Sequence, residues 1–341
     1  MNETISIIGA GSWGTALAIL LAKKGHRVYL WHRDMQIIED FKKFNQNIKY
    51  LPNIEFPENI VPTNNLSCVS KSNIVVLAIA SQAIREICKK IKSYINETHI
   101  IINVAKGIEY GTLNRMSEVI NQELPNNEVM ILSGPSHAEE VARDIPTTVV
   151  IAGKNRIKTE KIQDLFMSPL FRVYTNPDIV GVELGGALKN IIALGAGISD
   201  GLGYGDNTKA ALMSRGIVEI SRLGQAMGAN ISTFAGLSGI GDLIVTCTSN
   251  HSRNRRAGIL LGKGKQVGEV LEEIGMVVEG IRTTYAAYKL SIKHNVEMPI
   301  TEELYNVLYN NADVKQSVNN LMLRNKTHEM EEIVLGTYDG W

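Results

Sequence analysis

The sequence is poor in cysteine and carries no excess of charge of either sign. In a chain of 341 residues, 35 Lys and Arg residues balance 35 Asp and Glu residues. Proteins that bind nucleic acids or membrane surfaces usually carry an excess of basic residues, so we expect neither kind of partner. A neutral chain that binds an anion must do so with a local cluster of basic side chains.

The three cysteines, Cys68, Cys88 and Cys247, show no C-x-x-C spacing and leave an odd count. This pattern favours reduced, buried thiols in a cytoplasmic protein and gives no reason to expect a metal site. The first apolar run begins at Ile5 and leads directly into a glycine motif, so we expect no signal peptide.

The length and the order of apolar segments predict two domains in an α/β chain. Strand-like runs alternate with amphipathic helical stretches up to residue 176, which is typical of a parallel sheet covered by helices. The strands are expected at residues 5–9, 27–31, 73–80, 99–104, 128–132, 147–153 and 171–174, and the helices at 13–24, 35–44, 81–94 and 113–122. Residues 47–61, which contain Pro52 and Pro57, are expected to form a loop.

After Asn176-Pro177 the strand pattern ends, and we place the domain boundary there. Residues 1–177 are expected to form a domain built on the parallel sheet, and residues 178–341 an all-helical domain. The helices of the second domain are expected at residues 179–199, 208–227, 253–261, 267–274, 282–294 and 301–309.

The first of these helices is apolar enough to be considered as a membrane span. However, Glu183 and Lys189 lie within residues 179–198. Each would cost about 2.5 kcal/mol or more at the centre of a bilayer. We therefore expect a buried helix of a soluble domain.

A glycine motif follows the first predicted strand. Its sequence, residues 9–14 (GAGSWG), has the G-x-G-x-x-G spacing, with a strand before it and a helix after it. Gly9 would make the tight turn, Gly11 would let a pyrophosphate approach the backbone, and Gly14 would let helix and strand pack closely. The helix N-terminus would present N–H groups to the phosphates. The alternative is a glycine turn that only packs a helix on a sheet.

The end of the second strand indicates which dinucleotide is bound. About 20 residues after the motif an acidic residue would bind the ribose of NAD, whereas an arginine accommodates the 2′-phosphate of NADP. Arg33 stands there, between His32 and Asp34. Arg33 favours NADP as the cofactor, and Asp34 keeps NAD possible. The alternative is that Arg33 is only a solvated side chain at the start of the next helix.

Two polar segments follow later strands, where ligands of such sheets bind. Lys106 ends the run 103–107 (NVAKG), and Ser136 ends 133–136 (SGPS). Ser136 with Glu139 also has the S-x-x-E spacing of a helix capping box. That capping interpretation is sufficient to explain both residues.

Lys189 lies in an apolar helix, within 185–192 (GGALKNII). Desolvation would lower its pKa from about 10.4, so that it could exchange a proton near neutral pH. Reduction of a carbonyl by hydride needs such a group, because the developing alkoxide must be protonated. A lysine whose amine reaches solvent from a packed helix is the alternative.

The basic cluster expected for anion binding lies at residues 252–256 (SRNRR). Ser252 is placed to cap a helix, and a helix N-terminus with arginine side chains is a good phosphate site. A solvated basic patch is the alternative.

Taken in order, these segments resemble bacterial NAD(P)-dependent glycerol-3-phosphate dehydrogenase over nearly the whole chain. The matching segments are 9–14, 103–107, 133–136, 182–190 (VELGGALKN), 239–243 (GIGDL), 247–256 (CTSNHSRNRR) and 277–280 (VVEG). The resemblance implies a Rossmann-like N-terminal domain with a mainly parallel sheet, a helical C-terminal domain and a homodimer. It also implies that NADP or NAD is the cofactor, and that the enzyme interconverts dihydroxyacetone phosphate and sn-glycerol 3-phosphate for glycerophospholipid synthesis.

The resemblance also implies a role for each residue of the site. Lys189 transfers the proton, and Lys106 contacts both substrate and cofactor. The other residues implied to line the substrate are Gly134, Ser136, Asp242, Ser252, Arg253 and Asn254. Those implied to touch the dinucleotide, beside the three glycines and His32, are Ser12, Trp13, Arg33, Ala138, Arg253, Val277 and Glu279. His137 is a conceivable proton donor, but the resemblance gives that role to Lys189.

Two other functions are weighed against this one. A hydroxyacid or phosphogluconate dehydrogenase would share the fold, but the phosphate cluster beside the Leu-Lys-Asn element argues against it. A non-catalytic nicotinamide sensor would keep the glycine motif without Lys106, Lys189 and Asp242, and all three are present.

Overall fold

The computed structural model describes residues 2–326, 328 and 329. Its strands are β1 Thr4–Ile8, β2 Arg27–Trp31, β3 Gln46–Asn47, β4 Leu51–Glu55, β5 Ile60–Thr63, β6 Ile74–Leu77, β7 Ile100–Asn103, β8 Glu128–Ser133, β9 Thr147–Ala152 and β10 Phe171–Asn176. The helices among them are α1 Ser12–Lys23, α2 Met35–Phe44, α3 Ile84–Ile91, α4 Met116–Glu123, α5 Ala138–Val141 and α6 Arg156–Phe166.

The helices that follow the last strand are α7 Ile179–Gly201, α8 Asp206–Ala226, α9 Asp242–Thr248, α10 Arg253–Gly262, α11 Val267–Ile274, α12 Glu279–His294, α13 Pro299–Tyr309 and α14 Val314–Met322. Short 3-10 helices are Leu66–Lys71, Ser81–Ala83, Lys92–Tyr94 and Ile231–Ala235, and a π-helical turn spans Leu237–Gly241.

Eight strands form one sheet in the order β10-β9-β8-β7-β6-β1-β2-β5. Every neighbouring pair is parallel except β8 with β9, which is antiparallel. The inner strands are short runs of Ile, Val and Leu that are buried throughout, because helices cover both faces. The predicted α/β fold, a mainly parallel sheet followed by a helical domain, is confirmed.

The prediction that residues 47–61 form a loop was wrong. This stretch contains β4 and the start of β5, while β3 and β4 make a separate antiparallel pair. β5 pairs with β2 at the edge of the large sheet. An edge strand can contain Pro62 because one side of its backbone needs no hydrogen bonds from a neighbour.

Several helices differ from the sequence-based expectation. The pattern gave no sign of α6, α9 or α14. The helix expected from residue 113 begins at Met116, since Leu113 adopts a left-handed backbone conformation with φ of 61°. The helix expected at 81–94 is α3, with 3-10 turns at both ends.

Helix α7 runs through the centre of the helical domain. In the part of the chain that the structure describes, it is the one helix long and apolar enough to cross a membrane, but 94% of its most apolar window is buried within the protein. Asp178 caps it by accepting a hydrogen bond from the Gly181 N–H. Glu183 accepts a hydrogen bond from Arg115 at 2.6 Å, so its buried charge is paired.

Helices α7 and α10 touch backbone to backbone through two pairs of glycines. A Cβ added to Gly258 of α10 would lie 2.0 Å from the Leu194 carbonyl oxygen of α7, and one added to Gly197 would lie 2.0 Å from the Arg255 oxygen. Gly201 and Gly262 make the same contact one turn further along. This close approach fixes α10 against the C-terminal part of α7.

We predict that Gly258→Ala destabilises the protein by about 1–3 kcal/mol, because the added methyl group has no room beside the α7 backbone. Gly268→Ala is the matched control, since a Cβ at that α11 position meets no described atom within 4 Å. That control should be neutral or stabilising by up to about 1 kcal/mol. Denaturant unfolding of both variants measures the difference, and equal stabilities would contradict the close contact.

Candidate active site

The glycine motif makes the turn between β1 and α1 and leaves space in front of it. Gly9 has a φ of +119°, and a Cβ there would lie 2.4 Å from the Ala78 carbonyl oxygen. A Cβ on Gly14 would lie 1.9 Å from the Gly9 oxygen, so this glycine is needed for helix–strand packing. At Gly11, in contrast, a Cβ would meet nothing within 4 Å among the described residues.

Gly11 also lies at the N-terminus of α1, where backbone N–H groups have no partner within the helix. Open space and unpaired donors together fit the pyrophosphate of a dinucleotide. Trp13 is half-buried and packs against the core beneath the sheet.

A buried asparagine that sequence reasoning missed supports this turn. The Asn47 side-chain amide donates to the Ala10 carbonyl at 3.0 Å and to Thr15 Oγ1 at 2.7 Å, and its oxygen accepts from the Tyr50 N–H. The hydroxyl of Ser12 donates to the Tyr50 carbonyl at 2.7 Å. No sequence motif marks Asn47, because its partners come from a distant part of the chain.

At the end of β2 the three polar residues have different environments. Asp34 caps α2 by accepting from the Gln36 N–H at 3.0 Å. His32 Nδ1 accepts from the Asp34 N–H, and burial lowers the pKa of His32. Arg33 is exposed at the carboxyl end of the sheet. The Asp34 carboxylate is therefore engaged as a helix cap, while the Arg33 side chain beside it is exposed.

Two lysines and one aspartate form a cluster between the two domains. Asp242, the first residue of α9, is 1% exposed. One of its carboxylate oxygens accepts from Lys106 Nζ at 2.6 Å, and the other accepts from Lys189 Nζ. Lys106 follows β7 and Lys189 lies in α7, so the carboxylate joins the sheet domain to the helical domain.

The cluster sets the protonation chemistry of Lys189. The pKa of Lys189 is lowered to about 8, mainly because its amine is buried; the Asp242 carboxylate opposes this shift, and the Lys106 charge adds to it. Lys189 Nζ also donates to Thr246 Oγ1 at 2.5 Å. An ammonium group with this pKa can give up and regain a proton near neutral pH.

The turn after β8 approaches the same cluster. Lys106 Nζ donates to the Gly134 carbonyl at 3.0 Å, and Ser136 Oγ donates to the same oxygen at 2.9 Å. The predicted capping box was wrong, because Ser136 bonds backward to Gly134. Helix α5 begins later, at Ala138, which is buried against the sheet.

The basic cluster at the start of α10 lies beside Lys189. Ser252 caps α10 by accepting from the Arg255 N–H at 3.2 Å, as the sequence predicts. The Asn254 side chain donates to the side-chain oxygen of Asn190, the residue after Lys189, at 2.8 Å. Asn254 also accepts from the Gly280 N–H at 2.8 Å.

The segment before α12 completes the arrangement. Arg253, exposed at the start of α10, donates to the Val277 carbonyl at 3.0 Å. Glu279 accepts from the Ser81 hydroxyl at 2.8 Å and from its N–H at 3.2 Å. Ser81 follows β6, so Glu279 reaches from the helical domain to the carboxyl edge of the sheet.

The structure thus places an open glycine turn and Lys106 at the carboxyl edge of a Rossmann-like sheet. Asp242 joins Lys106 to the buried Lys189, and the basic start of α10 lies beside Lys189. These features define the class of NAD(P)-dependent dehydrogenases. Residues 4–158 match the model of the N-terminus of NAD-dependent glycerol-3-phosphate dehydrogenase, and residues 178–319 match that of its C-terminus.

Individual relatives agree with the family models. A glycerol-3-phosphate dehydrogenase (NAD(P)+) of Desulfitobacterium hafniense is 54% identical over 97% of this chain and 94% of its own length. One of Moorella thermoacetica is 55% identical over 97% and 99%. The crystal structure of glycerol-3-phosphate dehydrogenase from Coxiella burnetii superposes with a TM-score of 0.92 at 38% identity, covering 95% of this chain and 99% of that one. The chain therefore belongs to the NAD(P)-dependent glycerol-3-phosphate dehydrogenase family, and the predicted membership and enzyme class are confirmed.

We predict that Gly11→Ala weakens NADH binding at least about tenfold, or 1.4 kcal/mol, because the methyl group would occupy the space left for the pyrophosphate. The stability of the ligand-free protein should not change, since no described atom lies within 4 Å of that Cβ. Gly111→Ala, whose Cβ is equally free of described neighbours, is the control for the substitution itself. Fluorescence titration with NADH measures the affinities, and an unchanged affinity of the Gly11 variant would exclude this position for the pyrophosphate.

Proposed function

We propose that this protein catalyses the reversible, NAD(P)H-dependent reduction of dihydroxyacetone phosphate to sn-glycerol 3-phosphate, and so supplies glycerophospholipid synthesis. The observation that carries the proposal is the buried Lys189, which has a pKa of about 8. The next residue, Asn190, accepts a hydrogen bond from Asn254 at the start of α10, where we place the substrate phosphate. The names of the relatives support the same reaction.

Lys189 is the proton donor in reduction and the base in the reverse reaction. When bound, the reduced nicotinamide supplies a hydride to the C2 carbonyl of the substrate. The Lys189 ammonium then donates its proton to the C2 oxygen, which becomes the hydroxyl of the product. Asp242 holds Lys189 in place, and Lys106 orients and polarises the carbonyl.

The substrate phosphate binds at the start of α10. Ser252 and Asn254 lie at this helix N-terminus, where N–H groups and the helix dipole favour an anion. Arg253 adds a guanidinium that can bind two phosphate oxygens. Gly134 and Ser136 line the side of the site next to Lys106.

The dinucleotide binds along the glycine turn, and NADPH is favoured over NADH. The support for NADPH is that the Arg33 side chain is exposed at the end of β2 while the Asp34 carboxylate is engaged as a helix cap. The residues proposed to contact the cofactor are Gly9, Gly11, Ser12, Trp13, Gly14, His32, Arg33, Lys106, Ala138, Arg253, Val277 and Glu279.

We also propose that the protein is a cytoplasmic homodimer with domains at residues 1–177 and 178–341. The last strand ends at Asn176 and α7 begins at Ile179, which supports this boundary. Residues 1, 327 and 330–341 of these ranges lie outside the described residues.

We predict that Lys189→Met lowers kcat for dihydroxyacetone phosphate reduction at least about 100-fold, the lower range for general acid catalysis. NADPH affinity and folding should be retained, because methionine fills a similar volume and Asp242 keeps its bond from Lys106. Lys265→Met, which removes an exposed lysine paired with Glu273, is the control. If the Lys189 variant keeps more than about a tenth of the wild-type kcat, Lys189 is not the proton donor.

The pH profile tests the same assignment independently. Because reduction needs the protonated amine, kcat for reduction should fall as pH rises through about 8, while kcat for oxidation should rise. Since the Lys106 charge lowers the pKa of Lys189, Lys106→Met should move both limbs to higher pH. Steady-state rates of reduction and oxidation measured from pH 6 to 10, about two units either side of the pKa of Lys189, give the shift of each limb. If the limbs of the Lys106→Met profile lie at the same pH as those of wild type, the titrating group is not Lys189.

We predict that Arg33→Ala raises KM for NADPH by about tenfold and KM for NADH much less, because a hydrogen-bonded arginine–phosphate contact is worth about 1.5 kcal/mol or more. The preference is measured as KM for NADPH and KM for NADH, in wild type and in the variant, at saturating dihydroxyacetone phosphate. Equal changes for the two would show that Arg33 does not read the 2′-phosphate.

A further inference from the structure

The residues directly after Lys106 leave the sheet domain and pack into the helical one. We call residues 107–117 (GIEYGTLNRMS) the docking loop. Its Ile108 is 1% exposed and belongs to the hydrophobic core of the helical domain. Among the described residues, every other buried member of that core lies at positions 184–308. The sheet domain therefore inserts the Ile108 side chain into the core of its neighbour.

A second anchor lies at the far end of the docking loop. Arg115 Nη1 donates to the Glu183 carboxylate of α7 at 2.6 Å, and the Ser117 N–H donates to the other carboxylate oxygen at 2.7 Å. Arg115 also forms an isolated β-bridge with Ile108, so the two anchors are joined across the loop. The proposed reaction gives Glu183 no part, although burying its carboxylate has a desolvation cost. Holding the docking loop on α7 is a role that its contacts support.

The middle of the docking loop is bound to both domains. The Gln82 side chain, from the sheet domain, donates to the Ile108 carbonyl at 2.8 Å and accepts from the Tyr110 N–H at 2.9 Å. The Tyr110 ring stacks on the ring of Tyr285 in α12, with centroids 4.4 Å apart. The backbone around Ile108 is thus fixed relative to the sheet on one side and to the helices on the other.

These contacts bear on the cluster around Asp242 because Ile108 is two residues from Lys106. Consecutive Cα atoms are about 3.8 Å apart, so the two Cα atoms are separated by less than about 8 Å. Lys106 has to meet Asp242 across the domain boundary with a long, rotatable side chain. Its amine is placed accurately only if its backbone is fixed relative to that carboxylate. The docking loop fixes this backbone relative to α7, the helix that carries Lys189.

We propose that the docking loop is a positioning element of the active site, in which Ile108 is the main anchor that holds Lys106 against Asp242. The Arg115–Glu183 pair and the Tyr110 ring support this anchor. The inference rests on the proposed role of Lys106 and extends it, since Ile108 acts through Lys106 and not on the substrate.

The first test does not depend on activity. Because the Lys106 charge lowers the pKa of Lys189, that pKa should rise when Lys106 is no longer held in place. NMR of protein containing isotope-labelled lysine follows the titration of Lys189, whose signal is assigned with Lys189→Met. We expect Ile108→Ala to move this titration to higher pH by more than half of the shift that Lys106→Met produces. Ile108→Ala alters none of the charged or titratable groups around Lys189, which are Asp242, Lys106, Cys247 and His137.

A double-mutant cycle with Lys106→Met tests the same coupling in the reaction. A misplacement of about 1 Å can cost about 100-fold in rate, so Ile108→Ala should lower kcat/KM for dihydroxyacetone phosphate at least about tenfold. In the Lys106→Met background the same substitution should cost less than about twofold, because the group that Ile108 positions is already absent. Ile108→Val deletes only one methyl group and should recover most of the loss.

The matched control is Ile220→Ala. Ile220 of α8 is also 1% exposed in the core of the helical domain, but it lies outside the docking loop. In denaturant unfolding the two alanine variants should be destabilised comparably, since both remove the same buried atoms. Only Ile108→Ala should move the Lys189 titration and show coupling to Lys106→Met.

Tyr110→Ala provides a second variant if Ile108→Ala does not fold. Tyr110 is 45% exposed, so its truncation leaves the cores intact while it removes the stack on Tyr285. The Lys189 titration should move in the same direction by a smaller amount. Tyr110→Phe keeps the stacked ring and should leave the titration where it is in wild type.

The positioning role is overturned by an unshifted Lys189 titration in the folded variant, by equal losses of kcat/KM in both backgrounds, or by an equal shift in Ile220→Ala. If wild type itself fails to reduce dihydroxyacetone phosphate, the proposed reaction fails. The NMR titration then still decides whether the docking loop positions Lys106, so the two failures are distinguished.

Discussion

The carboxylate of Asp242 is the interaction on which the rest of the site depends. It is buried at the boundary between the sheet domain and the helical domain, where one oxygen accepts from Lys106 and the other from Lys189. A buried carboxylate without a partner would be strongly destabilising, so Asp242 needs at least one of these two lysines. Because Lys106 comes from the end of β7 and Lys189 from the middle of α7, this pairing also sets the position of one domain on the other.

Backbone packing determines what else lies near this cluster. The glycine contacts between α7 and α10 bring the start of α10 to the level of Lys189, so that Asn254 reaches Asn190. A longer side chain at any of the four contact positions would move α10 away from α7. The small residues in this part of the sequence are therefore a requirement of the site geometry as well as of the fold.

Much of the fold could be predicted because its signals are local. The glycine motif, the apolar strands and the Ser252 cap each depend on residues close in sequence, and the structure contains all of them. Asn47 and His137 carry no such signal, since their environments are made by segments far apart in the chain. Ser136 shows the converse, because a correct local spacing for a capping box was overridden by a bond back to Gly134.

The position of α9 shows the same limit. Asp242 was expected in the site only through a family resemblance, because the short helix that begins there has no clear periodicity and is preceded by a π-helical turn. Its partners, Lys106 and Lys189, are distant in sequence. A pattern read along the chain cannot show which buried carboxylate will meet which amine.

The bonds from Glu279 to Ser81 and from Lys106 to Asp242 both cross between the two domains. A ligand that occupies this boundary can bind fully only while the domains remain docked. By mass action it then favours the docked state by RT ln(1 + [L]/Kd), which is about 2.7 kcal/mol at a hundredfold excess over Kd. Each bound metabolite thus acts as a reversible cross-link between the two halves of the chain. Saturation with such a ligand therefore raises the resistance of the docked chain to unfolding, and its removal lowers it again.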